Sequence, residues 1–584
     1  MIGLQILYLP ASHNPLRVTE KHRTHQQDRI QDFFQITHTP ESRGRLIADI
    51  HLPYPGYPIH FYTGVGFEFI VEGNIYNATA AEVKAGLSEG LNHFMPDIGH
   101  LRRFISSLSG EFLIVIRRNT TFLILNDPLG RLPVYRMQTN GGSYVGRSLY
   151  WLHQHIQLIP DPISVMEYMW SSYPLHFKTL FTGVGRQKGG SIIELDPSTG
   201  DMKIHEGEAY NFDERMEGSR LQHVKTLDQL LAQASSRIIH QAADLPVHIA
   251  LSGGQDSRMA AFYLSKHRSH VETSSFRYPG AESDVGIAER VALHLGLTWN
   301  PYTVSRSERF DEELLKMKMG HNYVGLSFLL DYLSQIRTSR PKGLFFITGD
   351  GGDKVLPYLG EARAGLSFDQ VVQNIANRNS ILSHVDVCAL FGWSSDDFLQ
   401  HLSHILASYP ESRPNNKSIH FTLFEKVHQS FFEGEDRNRH FFWSSTLFYD
   451  LDVFQFAMKI QDRHKRYYGL YRDLIDYHGS TLHAIPDASG SRVHRPGYIF
   501  QQGFHEWFRA TSPKWKNLFK SLVGRKLHPN PMDDMEKHAC LTLLQEHPSI
   551  GSLIDLDRFT SLLKRTTHDQ FLYLVTLARL SKIL

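Results

Sequence analysis

The sequence predicts an α/β protein: a β-rich N-terminal portion, then strands alternating with helices, then a mostly helical C-terminal region. Three observations carry this. Up to about residue 205, β-branched and aromatic runs are separated by short turns. From about residue 215, apolar runs of strand length alternate with helical patterns. From about residue 360 the periodicity is mostly helical. In chain order, Gly110 to Ile116 and Thr121 to Leu125 read as a hairpin turning at Arg117–Thr120, and Ser191 to Leu195 as a strand closed by the turn Asp196-Pro197-Ser198-Thr199-Gly200. Thr226 is placed to cap a helix whose apolar face carries Leu227, Leu230, Leu231, Ala234 and Ile238. Val247 to Leu251 is a strand that enters a glycine-rich turn, followed by a helix from about Asp256 to Lys266. A further helix carries Val285, Ala288, Val291, Ala292 and Leu295, and Leu344 to Thr348 is a second strand that ends in glycines. Such alternation predicts a parallel sheet covered by helices, with ligands at the carboxyl ends of the strands.

Composition narrows the function classes. Lys and Arg number 61 against 60 Asp and Glu, so no overall field favours nucleic acid or an anionic membrane. Two cysteines, Cys388 and Cys540, are too few for a disulfide framework or a four-thiolate zinc site and suit a reducing compartment. The 34 histidines include His153/His155 and His401/His404, but none joins cysteines or carboxylates at a ligand spacing. Met1 to Pro10 lacks a basic flank and a cleavage site, and no apolar run reaches the roughly 20 residues of a membrane span, so the expected location is cytoplasmic.

Two strings carry chemistry. Leu251-Ser252-Gly253-Gly254-Gln255-Asp256-Ser257 leaves a strand and opens a helix. Its glycines let backbone N–H groups face an anion, Ser252 and Ser257 add hydroxyls, and the helix N-terminus adds partial positive charge, which suits ATP phosphates. Phosphate alone would repel Asp256; its use is to hold Mg²⁺ against the phosphates. A bare SGG is equally a strain-relieving turn with Asp256 as cap, but the full SGGxDS string in this setting favours a phosphate loop. The GK[ST] ending of a Walker A loop is absent. Thr348-Gly349-Asp350-Gly351-Gly352-Asp353 is the second string, an open acidic loop after a strand. Two such loops of one parallel sheet can face one crevice, where Asp256 and Asp353 would share the Mg²⁺.

The SGGxDS loop, followed about 90 residues later by a Gly-acid-Gly-x-Asp loop, resembles the synthetase domain of asparagine synthetases. Phe181-Thr182-Gly183-Val184 leading to Gly189-Gly190 is similar to the family's joining segment. Gly110-Glu111-Phe112, with Asn126-Asp127-Pro128-Leu129-Gly130-Arg131 and Pro133-Val134-Tyr135, is similar to its glutaminase-like domain. Phe448-Tyr449-Asp450 to Arg472 resembles its C-terminal helices. The resemblance implies an Ntn-hydrolase-like β-rich sandwich over residues 1–210. It implies an ATP-pyrophosphatase domain of the PP-loop (adenine nucleotide alpha hydrolase-like) class over 211–584, with a helical C-terminal region.

It also implies roles. Leu251 and Tyr278 (in Ser275-Phe276-Arg277-Tyr278-Pro279-Gly280) would flank adenosine, with Thr348 and Gly349 on its other side. Ser252, Gly253, Gly254 and Ser257 would hold the departing pyrophosphate, and Asp256 and Asp353 the Mg²⁺. Asp350 stands where the family usually has Glu, as a base one methylene shorter. The family also uses a lysine four residues before an Arg; here Tyr468 holds that place before Arg472, and Lys465, three residues farther back and less than one helical turn away, is the nearest lysine. A cation there would stabilise acyl-transfer charge.

A working glutaminase of this class needs cysteine directly after Met1; this chain has Ile2, and a bulky second residue favours retention of Met1. The resemblance thus implies an ATP-dependent carbon–nitrogen ligase without its own glutaminase. It would activate a small-molecule or peptide carboxylate as an acyl-adenylate and pass it to an amine. Free ammonia with aspartate would give asparagine. An amine within the substrate would give a ring, as in the related β-lactam and lasso-peptide macrolactam synthetases, and an amine on a second molecule an intermolecular amide. A non-catalytic nucleotide-binding relative is the alternative from another class. The sequence is compatible with a homodimer.

Overall fold

The computed structural model describes residues 1–10, 33–34, 44–91, 95–140, 142–278, 282–360, 365–479, 481–486 and 534–584. Pro279 and Gly280 of the string quoted above lie outside them.

The N-terminal portion is built from two antiparallel sheets. One has the spatial order Gly44–His51, Gly3–Pro10, Gly142–Gly146, Tyr135–Thr139, Val184–Arg186. The other runs Met202–His205, Ile192–Leu195, Thr121–Asn126, Gly110–Arg118, Glu68–Ile75, Ile59–Thr63. The predicted hairpin is present, with Arg118 opposite Thr121 and Asn119 in the left-handed region at φ 51°. Alternation along Gly110–Arg118 buries both faces. Leu113 and Val115 meet Leu4 and Ile6 of the first sheet, while Phe112, Ile114 and Ile116 meet Leu87 and Ile105 of two covering helices. The result is the expected β-rich sandwich.

The helix predicted to start at Thr226 begins earlier: it spans Arg220–Ala242 and is capped at Ser219, whose side chain and that of Gln222 form a reciprocal capping box. Thr226 lies inside the helix, whose register is set by that stronger cap.

The C-terminal sheet is wholly parallel. Its strands in chain order are β1 (Val247–Ala250), β2 (Val271–Arg277), β3 (Thr298–Thr303), β4 (Phe345–Ile347) and β5 (Trp443–Ser445), in the spatial order 3-2-1-4-5. The order reverses between β1 and β4, and ligands of open α/β sheets bind at that reversal, outside the strand carboxyl ends. Both glycine-rich strings leave from these two strands. After residue 360 the described residues are mostly helical as expected, apart from β5. Among the described residues no helix is long and apolar enough to cross a membrane.

The two portions share one apolar core, which runs from Ile2 and Leu4 through Val247 and Ile249 to Tyr471. A buried ion network also joins them. Arg131, Arg147 and Arg186 of the N-terminal portion all reach the helix Phe432–Asn438 and its preceding turn. Arg131 pairs with Glu435 at 2.8 Å and Arg186 with Glu433 at 2.9 Å. Arg147 bridges Asp436 and, at 2.6 Å, Glu72. Lys318 adds contacts to Glu433 at 2.5 Å and Asp436 at 2.8 Å. The Asp127 turn supports Arg131: its carboxylate accepts from the N–H groups of Leu129, Arg131 and Leu132, and burial pushes its pKa up to about 6. Gly130, at φ +67°, leaves the room that a Cβ would take from His428, whose Nε2 would be only 2.7 Å away. Asp450 of the Phe448-Tyr449-Asp450 string caps the helix Leu451–Lys459 and accepts from Ser109 across the boundary.

A buried pair broken on one side leaves an uncompensated charge, which costs about 3–5 kcal/mol. Arg147→Ala leaves Glu72 without its ion-pair partner while Asp436 keeps Lys318, so a loss at the lower end of that range, about 3 kcal/mol, is expected, read as a lowered midpoint in chemical denaturation.

Candidate active site

The first loop is ordered by its own serines. Leu251 N–H donates to Ser274 O at 2.8 Å, and Ser275 Oγ donates to Leu251 O at 2.6 Å, which pins the end of β1 to β2. Ser252 N–H donates to Ser257 Oγ at 3.0 Å, and Gly254 N–H to Ser252 Oγ at 3.2 Å. The helix Gln255–Leu264 follows, with Gly254 at its N-cap and no side chain capping it. A helix N-terminus of this kind carries partial positive charge, which favours an anion.

The second loop leaves β4 with Thr348 N–H bonded to Ser445 O at 3.1 Å. Asp350 N–H donates to Thr348 Oγ1 at 3.3 Å, and Thr446 Oγ1 donates to Asp350 O at 2.8 Å. Gly351 takes φ +95° and opens the short helix Gly352–Val355.

The two loops touch. A Cβ on Gly349 would lie 2.4 Å from Ser257 N, and one on Gly352 would lie 2.7 Å from Asp256 Oδ1. Only glycine allows backbone to come this close to backbone at Gly349. Asp256, Asp350 and Asp353 thereby share one small region. Burial, and next the neighbouring charge of Asp353, push the Asp256 pKa up to about 7. Burial also raises Asp350, opposed by the guanidinium of Arg437.

Three further residues complete the site, and none was singled out from the sequence. Lys354 pairs with Asp353 and lies 5.1 Å over the Phe431 ring. Arg437 is buried; it donates to Asn322 Oδ1 at 3.2 Å and to Asn438 Oδ1 at 3.1 Å, and its Nε has no hydrogen-bond partner among the described residues. Burial brings its pKa down to about 10, against the opposing effect of Asp350. Tyr471 donates its hydroxyl hydrogen to Asp256 Oδ1. Lys354 adjoins the acidic loop in sequence and was within reach of inspection; Arg437 and Tyr471 come from distant helices.

The other residues named from the sequence lie as follows. Ser252, Gly253, Gly254, Asp256 and Ser257 line the first loop, and Thr348, Gly349, Asp350 and Asp353 the second. Leu251 is 2% exposed and its side chain is in the core. Tyr278 stacks on Phe328, with ring centroids 4.5 Å apart, just past the carboxyl end of β2. Lys465 and Arg472 do not share one helix: Asp462–Lys465 gives way to a 3₁₀ turn, and Tyr468 at φ 55° redirects the chain into Gly469–Tyr477. Lys465 Nζ donates to Ala457 O at 2.9 Å, and burial brings its pKa down to about 7. Among the described residues, no hydrogen bond or ion pair joins it to the three aspartates.

The residues fit a magnesium–nucleotide pair in kind. Asp256 and Asp353 are hard oxygen donors that repel each other, and among the described residues Asp256 Oδ2 accepts no hydrogen bond. Among the described residues no group of three or more His, Cys, Asp or Glu could hold a metal ion by itself. That suits Mg²⁺, which typically takes one or two carboxylates and completes its shell with phosphate and water.

Residues 226–484, which include both loops, match the family model described as asparagine synthase. This segment is an asparagine synthase domain. No curated protein matches the chain. Among solved structures, the chain is similar to glutamine phosphoribosylpyrophosphate amidotransferase from B. subtilis, complexed with ADP and GMP. The identity is 12%, over 46% of this chain and 53% of that one, with a TM-score of 0.19. It is similar to a structure of the allosteric regulatory enzyme of purine biosynthesis at 9% identity, over 65% of this chain and 72% of that one, with a TM-score of 0.21. It is similar to the U34-tRNA thiolase NcsA from Methanococcus maripaludis at 9% identity, over 54% of this chain and 84% of that one, with a TM-score of 0.21. The chain spans about half the length of the first of these. TM-scores this low carry no argument; the asparagine synthase domain rests on the family match.

Its acidic cluster makes stability depend on pH. The ordinary value for Asp256 is 3.8 and its folded value about 7, so the folded protein binds this proton more tightly than the unfolded chain. The resulting stabilisation is full below pH 4 and is lost as pH rises through 7. Asp256→Asn, without metal or nucleotide, should therefore unfold at a higher temperature than the parent at pH 8 and at nearly the same temperature at pH 4. The gain expected at pH 8 is on the order of 1 kcal/mol or more, measured by calorimetry.

Proposed function

We propose that the chain is an ATP-dependent amide-forming ligase that activates a carboxylate as its acyl-adenylate. The observation that carries this reading is the contact between the two loops at the sheet reversal, which brings Asp256 and Asp353 together beside a serine- and glycine-lined turn. The first loop and the uncapped helix N-terminus would bind the β- and γ-phosphates. Mg²⁺ on Asp256 and Asp353 would neutralise phosphate charge when bound.

The substrate carboxylate oxygen attacks the α-phosphorus, and the bond from that phosphorus to the pyrophosphate oxygen breaks. An amine then attacks the acyl carbon, the bond from that carbon to the AMP oxygen breaks, and the amine proton passes to Asp350. Burial raises the proton affinity of the Asp350 carboxylate, which suits a base at that step. Arg437, desolvated beside Asp350, supplies positive charge for the carboxylate and for the oxyanion of acyl transfer. The chain's share is chiefly positioning and charge stabilisation. Neither cysteine, Cys388 nor Cys540, lies in the N-terminal portion, which supports a nitrogen donor other than glutamine hydrolysed by this chain.

ATP–pyrophosphate exchange with a panel of amino acids, peptides and other carboxylates tests the reading. At least one acid should support exchange, and Asp353→Asn should lower it roughly 100-fold. Nucleotide binding without exchange for any acid would mark a non-catalytic sensor instead. Mass spectrometry of the products then distinguishes ring closure, which loses one water from a single substrate, from joining of two molecules.

A further inference from the structure

We infer that Tyr471 is a positioning residue for Asp256, fixing which carboxylate oxygen faces the cation that accompanies the nucleotide. This rests on the nucleotide-binding reading above and extends it to a residue outside both loops.

Three elements meet at one point. The Tyr471 hydroxyl donates to Asp256 Oδ1, and a Cβ on Gly352 would come within 2.3 Å of that hydroxyl and 2.7 Å of Oδ1. The phenol is therefore wedged between the first loop's carboxylate and the start of the helix that carries Asp353. Tyr471 is 0% exposed, so its hydroxyl has no water to fall back on. The helix Gly469–Tyr477 is aimed here by Tyr468 at φ 55°, a left-handed turn uncommon for a residue with a side chain.

A carboxylate of this kind has two oxygens and a soft torsion about Cβ–Cγ. The phenol occupies Oδ1, its only hydrogen-bond partner among the described residues, and leaves Oδ2 for a cation. Without the hydroxyl, no hydrogen bond from the described residues holds Oδ1 in place. Hydrogen bonds that orient a metal ligand are typically worth 10–100-fold in affinity. A purely packing role predicts otherwise: removing one oxygen and keeping the ring would leave metal affinity where it was.

The test is Mn²⁺ binding to full-length protein, followed by electron paramagnetic resonance with saturating α,β-methylene-ATP, for the parent and Tyr471→Phe. Binding of the analogue alone, in EDTA, is measured in parallel. The expected result is Mn²⁺ affinity lower by roughly 10–100-fold in the variant, with metal-free analogue binding and the thermal midpoint unchanged. Equal Mn²⁺ affinity in the two proteins overturns the role of Tyr471 and leaves the nucleotide reading standing. Loss of metal-free analogue binding in the variant also overturns it, since the hydroxyl would then hold the loop itself. A parent protein that binds neither Mn²⁺ nor the analogue overturns the nucleotide reading, and this inference with it.

Discussion

The parallel pairing of Val247–Ala250 with Phe345–Ile347 is the constraint on which the site depends. Its register places Val247 beside Phe345 and Ile249 beside Ile347, so both strands end at nearly the same height. Each chain then leaves the sheet through glycine, and the two backbones pass within contact distance at Gly349 and Ser257. A slip of one residue would turn Ile249 and Ile347 away from the core and carry the two aspartates apart. The acidic cluster is thus a product of strand register more than of either loop alone.

Charge compensation follows from that geometry. Three carboxylates brought together in a partly desolvated crevice repel one another, and the fold answers with a lysine on Asp353, a guanidinium near Asp350 and a phenol on Asp256. The same approach recurs deeper in, where Arg131, Arg147 and Arg186 meet Glu433, Glu435 and Asp436. Buried pairs of this kind add little net stability compared with an apolar core, but each makes the loss of a partner costly. They fix one arrangement of the two portions.

Much of this could be read from local pattern. β1, β4 and the helix after the first loop have apolar runs and glycine punctuation that are visible over ten residues, and the structure has them within a residue or two. β5 was not foreseen: three residues, Trp443 to Ser445, carry no periodicity, and only pairing with β4 makes them a strand. The stretch Phe421–Phe431 is π-helical, a geometry without a sequence signature of its own. Thr226 looked like a cap because any hydroxyl before an apolar face does; the reciprocal pair of Ser219 and Gln222 set the true start. Arg437 and Tyr471 escaped notice because their function comes from tertiary placement. Lys465 drew attention by spacing along an assumed continuous helix, which Tyr468 interrupts.

The helix Phe432–Asn438 belongs to both portions at once. Its acids are gripped by arginines from the front of the chain, while Arg437, on the same turn, stands by the acidic loop. The front portion therefore acts as a splint for the crevice between the two loops. Paring it away would remove three of the cations that compensate those acids, leaving Lys318 and Arg439 among the described residues, and would loosen the turn that carries Arg437. Any shortened form of the chain would first have to replace that brace before its crevice could keep its shape.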